Sequence, residues 1–290
     1  MNEQFQALLA RAESLLARVE QVLPQPLTAP DWSLEAIAWR YRKRASGHGT
    51  LEPVKHMAGM KLSDLKEIDV QKEKIQRNTL QFVQGHTANN VLLTGARGTG
   101  KSSLIRACLA EYTAQGLRLI EVDKTDLVDL PDILDVIADR PEKFIIYCDD
   151  ISFEEGDGSY KALKSVLDGS ISGGAANMLI YATSNRRHLL PEYMKENLTY
   201  THTPDGEVHP GEVVEEKISL SERFGLWVSF YPFTQDEYLA IVAQWLRNLG
   251  VAESRIEAAQ KESLVWSLER ASRSGRVAFQ FAKDFAGRQV

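Results

Sequence analysis

The chain has 290 residues, of which 43% are hydrophobic and 26% charged, and its formal net charge is −6. This composition is ordinary for a soluble globular protein of one large domain or two modest ones, and the charge excludes a chain that is basic overall and binds nucleic acid non-specifically. The longest apolar runs are too short to cross a bilayer. The N-terminal segment contains Glu and Arg among its apolar residues, unlike a secretory signal. We therefore expect a cytoplasmic protein with no membrane partner, whose Cys108 and Cys148 are buried thiols rather than a disulfide.

The N-terminal segment has apolar residues at alternating three- and four-residue steps, widened by three leucines, which predicts an amphipathic helix. These residues are Phe5, Leu8, Leu9, Ala12, Leu15, Leu16, Val19, Val22 and Leu23. Prolines at 24, 26 and 30 end the pattern, and a second helix is predicted over roughly 33–44. Residues 1–46 are thus predicted to be a helical N-terminal appendage. The basic run Arg40–Arg44 is interpreted first as a solvated helix end and second as a phosphate-binding patch.

The remainder of the chain is predicted to alternate between strands and helices, after a turn and helix over 62–84. Apolar strands without polar alternation, separated by helices, are typical of a parallel sheet covered on both faces. The predicted strands are 91–93, 117–122, 144–148, 178–182 and 226–230, and the predicted helices are 102–114, 127–138 and 160–167. Thr234 and Glu237 form a capping box that opens a purely helical region. We expect an α/β nucleotide-binding domain over 47–232 and a small all-helical lid domain over 233–290.

A glycine-rich stretch after the first of these strands carries the clearest chemistry. Gly95-x4-Gly100-Lys101-Ser102 matches the phosphate-binding loop, or Walker A motif, between a strand and a helix. Its backbone N–H groups cradle phosphate, Lys101 supplies a cation, and the Ser102 hydroxyl completes a Mg²⁺ site. The predicted cofactor-binding residues are Gly95, Ala96, Arg97, Gly98, Thr99, Gly100, Lys101, Ser102 and Ser103. The alternative is a glycine-rich turn with no ligand.

Acidic residues follow the strand "FIIYC" directly and supply a Walker B motif. Asp149 is expected to support Mg²⁺ together with Ser102, on a strand beside that of the phosphate-binding loop. Asp150 is interpreted as the catalytic acid that orients the attacking water, with a helix cap or an outer support of the metal site as the alternative. For Glu154, Glu155 and Asp157 a solvated acidic cap on the next helix is favoured over catalysis.

These motifs, with "LIYATSNRRH", "LSERFG" and the helical tail in that order, resemble the AAA+ ATPases over roughly residues 60–290. More narrowly the chain is similar to bacterial AAA+ proteins grouped as a family of unknown function. The resemblance implies that Asn185 is the sensor-1 residue, Arg223 an arginine finger acting in trans and Arg276 the sensor-2 arginine, all of them catalytic. The alternative for Asn185 is a residue that starts a turn, and the alternative for Arg276 is a solvated side chain. Arg223 could instead form a surface ion pair, in which case Arg186 or Arg187 would be the arginine finger.

Two features depart from a simple AAA+ chain. The usual acid pair is Asp-Glu, whereas here it is Asp149-Asp150. The shorter side chain predicts slower hydrolysis and leaves Glu154 open as the base. The segment from Tyr193 to Leu220 is longer than a connection needs, and is either a loop that faces a client or a subunit, or a flexible surface excursion.

The sequence therefore predicts an AAA+ ATPase that binds ATP and Mg²⁺. It would hydrolyse ATP at the interface of a homo-oligomer, to remodel or switch a protein or nucleic-acid client. A monomeric P-loop kinase, a nucleotide-gated binding module with little hydrolysis, and a DNA-associated loader or initiator are the alternatives.

Overall fold

The structure is a computed structural model that describes most of the chain. The described residues are 2–20, 27–32, 36–43, 49–55, 57, 59–153, 157–169, 176–186, 189, 201–202, 208–209 and 220–288. Helix α1, Asn2–Glu20, confirms the N-terminal amphipathic helix. Within these residues no helix is both long and apolar enough to span a membrane.

A seven-stranded sheet with the order β2-β1-β4-β5-β6-β3-β9 forms the centre of the molecule. Its strands are β1 (Ala38–Lys43), β2 (Gly49–Pro53), β3 (Val91–Gly95), β4 (Leu117–Glu121), β5 (Lys143–Cys148), β6 (Met178–Ser184) and β9 (Leu226–Phe230). All neighbours are parallel except β1 and β2. The short strands β7 (Thr201–His202) and β8 (Val208–His209) pair separately. The predicted parallel sheet is therefore confirmed.

The sheet is covered on both faces, because successive side chains of a strand point in opposite directions. In β5, Ile145 and Tyr147 join one core, whereas Phe144, Ile146 and Cys148 join the other. The first core is closed by α2 (Asp69–Val83), α3 (Lys101–Tyr112) and the C-terminal helices, and the second by α4 (Leu130–Ile137) and α5 (Gly158–Leu167). Both cysteines are buried and free, as predicted.

Three helices complete the chain: α6 (Gln235–Asn248), α7 (Glu253–Glu269) and α8 (Gly275–Gly287). The Thr234 hydroxyl accepts from the Glu237 N–H and the Glu237 carboxylate accepts from the Thr234 N–H, so the predicted capping box forms. The Ser274 hydroxyl caps α8 in turn by accepting a hydrogen bond from the Val277 N–H. These caps fix where α6 and α8 begin, and α8 begins beside the phosphate-binding loop.

The predicted second helix at 33–44 is wrong, since residues 38–43 form strand β1. The sequence alternates apolar and basic side chains there, and Trp39 and Tyr41 are buried while Arg42 and Lys43 are exposed. A period of two is the pattern of a strand with one buried face. The boundary expected at residue 46 separates β1 from its partner β2, so the sheet includes residues assigned to the N-terminal appendage.

Residues 40–43 of the basic run accordingly lie in a strand, not at a solvated helix end, and Arg44 lies outside the described residues. Its charges are matched by carboxylates on neighbouring elements: Arg40–Glu121 at 2.7 Å, Arg42–Glu52 at 3.4 Å and Lys43–Asp129 at 2.9 Å. The neighbouring carboxylates lower the positive potential of residues 40–43, which reduces their attraction for a phosphate. The alternative interpretation as a phosphate-binding patch stays a prediction.

Strand β5 does not lie beside β3, contrary to the expected strand order. Strand β6 pairs with both and separates them. Asp149 nevertheless reaches the phosphate-binding loop, because the carboxyl ends of parallel strands meet at one edge of the sheet. The intervening strand contributes Thr183 to that edge, and Asn185 follows directly after the strand.

Candidate nucleotide-binding site

The phosphate-binding loop connects the end of β3 to the start of α3 and depends on glycines at three positions. Gly95, Gly98 and Gly100 have φ values of 128°, 74° and 99°, which L-residues with a side chain rarely adopt. A Cβ on Gly95 would lie 1.9 Å from the carbonyl oxygen of Phe230 on β9. The backbone can therefore curl toward the helix N-terminus, where N–H groups favour an anion.

Lys101 is held inside this loop and is only 6% exposed. Its Nζ donates to the carbonyl oxygens of Gly95 (2.6 Å) and Ala96 (2.8 Å) and to Asn185 Oδ1 (3.0 Å). Burial lowers the pKa of the ammonium, while the charges of Asp150 and Asp149 act to raise it. The cation is thus positioned by the loop and stabilised by the acidic pair.

Asp149 accepts hydrogen bonds from hydroxyls on two other elements. The Ser102 hydroxyl at the start of α3 donates to Asp149 Oδ1 at 2.8 Å, and the Thr183 hydroxyl on β6 donates to the same oxygen. Burial alone would raise the pKa of Asp149, but the hydrogen bonds, that from Thr183 first, hold it below its usual value. A carboxylate and two hydroxyls therefore meet at one point.

Asp150 follows in a left-handed conformation, with φ at 49°. Its backbone N–H donates to the Thr183 hydroxyl at 2.8 Å, and its carboxylate accepts from the Asn185 amide and lies 3.7 Å from the Arg97 guanidinium. Asn185 therefore bridges the acid and Lys101. The sensor and the two acids predicted from sequence lie in one connected network.

A cavity of about 620 Å³ opens from this network. Met60, Leu65 and Ile68, which precede α2, line the cavity with apolar side chains. The C-terminal helical region adds further apolar side chains, those of Phe233, Ile241, Trp245 and Phe279. The lining thus combines the polar loop with apolar and aromatic side chains, as expected of a site for a phosphorylated compound with an aromatic base.

The start of α8 closes over the loop. Arg276 lines the cavity, and a Cβ on Gly98 would lie 2.8 Å from the Ser274 Cβ. Of the predicted cofactor-binding residues, Arg97, Gly98, Thr99, Gly100, Lys101, Ser102 and Ser103 line the cavity, while Gly95 and Ala96 contact Lys101. The loop and the C-terminal helices are in direct contact at this point.

Comparison with known proteins decides the family. The model of the family described as "Protein of unknown function (DUF815)" matches residues 34–289. The chain belongs to this DUF815 family. No curated protein matches the chain.

Solved structures place the DUF815 chain in the AAA+ P-loop fold. A variant of RuvB from Thermotoga maritima has a TM-score of 0.51 at 17% identity, over 77% of this chain and 63% of that one. The Aeropyrum pernix ORC1 protein in complex with DNA has a TM-score of 0.51 at 14% identity, over 77% and 61%. The chain thus spans less than two thirds of either relative. The predicted AAA+ fold is confirmed.

Arg223 does not line the cavity of the DUF815 chain. It follows a short helical turn at 220–222, and its Nε donates to Asp168 at the end of α5. Arg186 is exposed, and Asp157 caps α5 by accepting from the Ser159 N–H at 3.0 Å, as an acidic cap would. Arg187, Glu154, Glu155 and most of the segment 193–220 lie outside the described residues.

Thr183 was missed by the sequence analysis. Its hydroxyl is buried and connects Asp149 to the backbone of Asp150. The available signal was a threonine two residues before Asn185 at the end of an apolar strand. The apolar residues that line the cavity were missed as well, because they are far apart in the sequence and have no local motif.

The donors at this point fit Mg²⁺. Ser102, Thr183 and Asp149 offer oxygen only, which a hard cation prefers, and Mg²⁺ is typically held by one or two carboxylates together with substrate phosphates. Among the described residues, no group of three or more His, Cys, Asp or Glu could form an all-protein metal cage. Ser102 and Asp149 would hold the ion, which would neutralise charge on bound phosphates.

Proposed function

We propose that this protein is an AAA+ ATPase that binds ATP with Mg²⁺ and hydrolyses it between subunits to switch or remodel a client. One observation supports this most strongly. Lys101, Ser102 and Asp149 converge at the carboxyl edge of a parallel sheet, next to a cavity that is also lined by apolar and aromatic side chains. The phosphates would lie against the phosphate-binding loop and the base against the apolar side chains.

Each polar residue then has a defined task. Lys101 would exchange its bonds to the carbonyls of Gly95 and Ala96 for bonds to phosphate oxygens, which are stronger because both partners are charged. Asp150, placed by Asn185, would orient the attacking water. Arg276 would contact phosphate from α8 and make the position of the C-terminal helices depend on the nucleotide. We propose that residues 233–290 act as this lid.

Arg223 is expected to act on the site of a neighbouring subunit, because it lies outside the cavity of its own chain. Arg223→Ala should reduce ATP turnover by about 1,000-fold, the typical contribution of an arginine finger. Binding of ATP should change less than about threefold, since Arg223 does not line the cavity of its own chain. Turnover per subunit, measured over a range of protein concentrations, and calorimetric binding of ATP would test this.

Arg186→Ala and Arg77→Ala serve as matched controls, because both arginines are exposed and Arg186 is the rival finger. Equal loss of turnover and of nucleotide binding in Arg223→Ala would contradict a role in trans. Loss of turnover in Arg186→Ala alone would transfer the role to Arg186.

A nucleotide-gated binding module with little hydrolysis is the second candidate. It is favoured by Asp150, whose side chain is shorter than the usual glutamate and is shared between Asn185 and Arg97. In that case ATP binding alone would fix the position of the lid, and the position of the lid would control binding of the partner.

Asp150→Asn distinguishes the two candidates. Asparagine tolerates the left-handed backbone found here, so the fold should be kept. If Asp150 orients water, turnover should fall by at least about 100-fold, the usual contribution of a catalytic base, with ATP affinity retained. A wild-type protein with no turnover at any concentration, whose partner binding depends on ATP, would support the module instead.

The client is proposed to be a protein or a nucleic acid. RuvB is described as a Holliday junction branch migration motor, and ORC1 was solved with DNA. In this chain the basic run at 40–43 is paired with carboxylates, so a DNA-associated loader has no support from those residues. We therefore favour a protein client.

A further inference from the structure

Helix α1 has an apolar stripe that no described part of the chain covers. Every residue of α1 with a described side chain, 5–16, 18 and 19, is exposed. Its large apolar side chains are between 47% exposed, at Leu9, and 65% exposed, at Leu8. In proteins most of the stability of a helix comes from packing its amphipathic face. Among the described residues this stripe is left open to a partner.

The stripe has a seven-residue repeat, visible as "FQALLAR" followed by "AESLLAR" at residues 5–18. Written as heptads from Phe5, apolar side chains occupy positions a, d and e. At about 100° per residue these three positions form an arc of roughly 100°, wider than the a/d seam of a two-stranded coiled coil. Such a width suits a bundle of more than two helices.

The two borders of the stripe carry opposite charges. Arg11 and Arg18 share position g on one border, while Glu13 and, seven residues later in the sequence, Glu20 share position b on the other. When identical helices pack in parallel around an axis, the g border of one faces the e and b positions of the next. Antiparallel pairs would bring arginine against arginine. The charges therefore favour parallel copies of this same helix.

We propose that α1 joins copies of this chain through a parallel bundle of three or more α1 helices. Arg11 of one copy is then level with Glu13 of its neighbour, and Leu8 and Leu15 are buried at d. A membrane surface suits the stripe less well, because the acidic border would be repelled by anionic lipid. Binding of a helix from a client protein would not explain why the two borders of the stripe carry opposite charges.

This bundle is independent of the nucleotide site. Helix α1 precedes the family match, which begins at residue 34. The bundle would raise the local concentration of the catalytic domains and so help Arg223 to reach a neighbour. Association through α1 should persist without ATP and in Lys101→Ala, which separates this inference from the proposed function.

Sedimentation velocity of the full-length protein without nucleotide tests the proposal. The wild type and Lys101→Ala should form trimers or larger assemblies. A variant with Leu8→Glu and Leu15→Glu should raise the dissociation constant by at least about 100-fold, since two buried leucines are lost. The matched control, Ala7→Glu with Ala10→Glu, places the same charges on the opposite face of α1 and should assemble normally.

Charge and orientation are tested separately. Arg11→Glu with Arg18→Glu should dissociate the assembly, and so should Glu13→Arg with Glu20→Arg, while a mixture of the two variants should associate more strongly than either variant alone. Because Cys108 and Cys148 are buried, Phe5→Cys gives one accessible thiol near the start of α1. Copper-phenanthroline oxidation should crosslink Phe5→Cys chains to one another.

Three results would overturn the proposal. The first is a wild type that stays monomeric without nucleotide at every concentration. The second is crosslinking of Phe5→Cys to Val19→Cys chains in preference to Phe5→Cys pairs, which indicates antiparallel helices. The third is a Leu8→Glu and Leu15→Glu variant that assembles as the wild type does but has lost binding to lipid vesicles, which indicates that the stripe binds a membrane surface.

Discussion

Lys101→Ala is expected to weaken the binding of ATP with Mg²⁺ by at least about 100-fold, and to abolish turnover. The ammonium is buried in the loop, so the substitution would remove the charge-assisted hydrogen bonds that we propose it donates to phosphate. The fold should survive, because alanine is a good helix former at the start of α3. Isothermal titration calorimetry with ATP and Mg²⁺ measures the effect.

Lys161→Ala is the matched control, since Lys161 is an exposed lysine on α5 outside the cavity. It should bind ATP as the wild type does. If Lys101→Ala bound ATP with unchanged affinity, the phosphate-binding loop would not be the nucleotide site and the proposed function would fail.

Gly95→Ala is expected to destabilise the folded protein by about 3 kcal/mol or more. The added Cβ would meet the Phe230 carbonyl oxygen at 1.9 Å, in a backbone conformation with φ of 128° that alanine rarely adopts. Overpacking and backbone strain each cost about 1–3 kcal/mol. Since Gly95 pairs with Phe230 across β3 and β9, neither strand can move away without breaking the sheet. Urea unfolding monitored by circular dichroism measures the change in the free energy of unfolding.

Gly116→Ala separates strain from collision. Gly116 has φ of 89°, but no atom lies within 4 Å of a Cβ placed there. Gly116→Ala should lower the free energy of unfolding only by the strain of a left-handed backbone conformation, about 1–2 kcal/mol. Equal destabilisation of the two variants would show that contact with β9 does not restrict Gly95.

Local patterns in the sequence were sufficient for strands β3 to β6 and β9, for the helices between them and for the phosphate-binding loop. The loop lies between a strand and a helix, so its glycines, Lys101 and Ser102 could be assigned from spacing alone. Uninterrupted apolar runs such as "FIIYC" predict strands buried on both faces, which only a parallel sheet with two helical layers provides. The AAA+ fold follows from the order of these motifs along the chain.

The sequence was read wrongly where two periodicities compete. Residues 33–44 carry enough good helix formers to suggest a helix, yet the alternation of Trp39 and Tyr41 with basic residues is that of a strand. Pairing with β2 and β4 decided between them, because edge pairing satisfies the backbone and lets Arg40 reach Glu121. Such a pairing involves residues far apart in sequence and leaves no local signal.

The amino-acid sequence by itself determined which residues we propose to hold phosphate and Mg²⁺, since that proposal depends on a short segment and on the ends of apolar strands. The tertiary structure decided the order of the strands, and with it the insertion of β6 between β5 and β3. It also decided that Thr183 joins Asp149 to Asp150, and that residues of both the Met60–Ile68 segment and the C-terminal helical region line the cavity. Strand order and packing depend on long-range burial and hydrogen bonding, which no short stretch of sequence encodes.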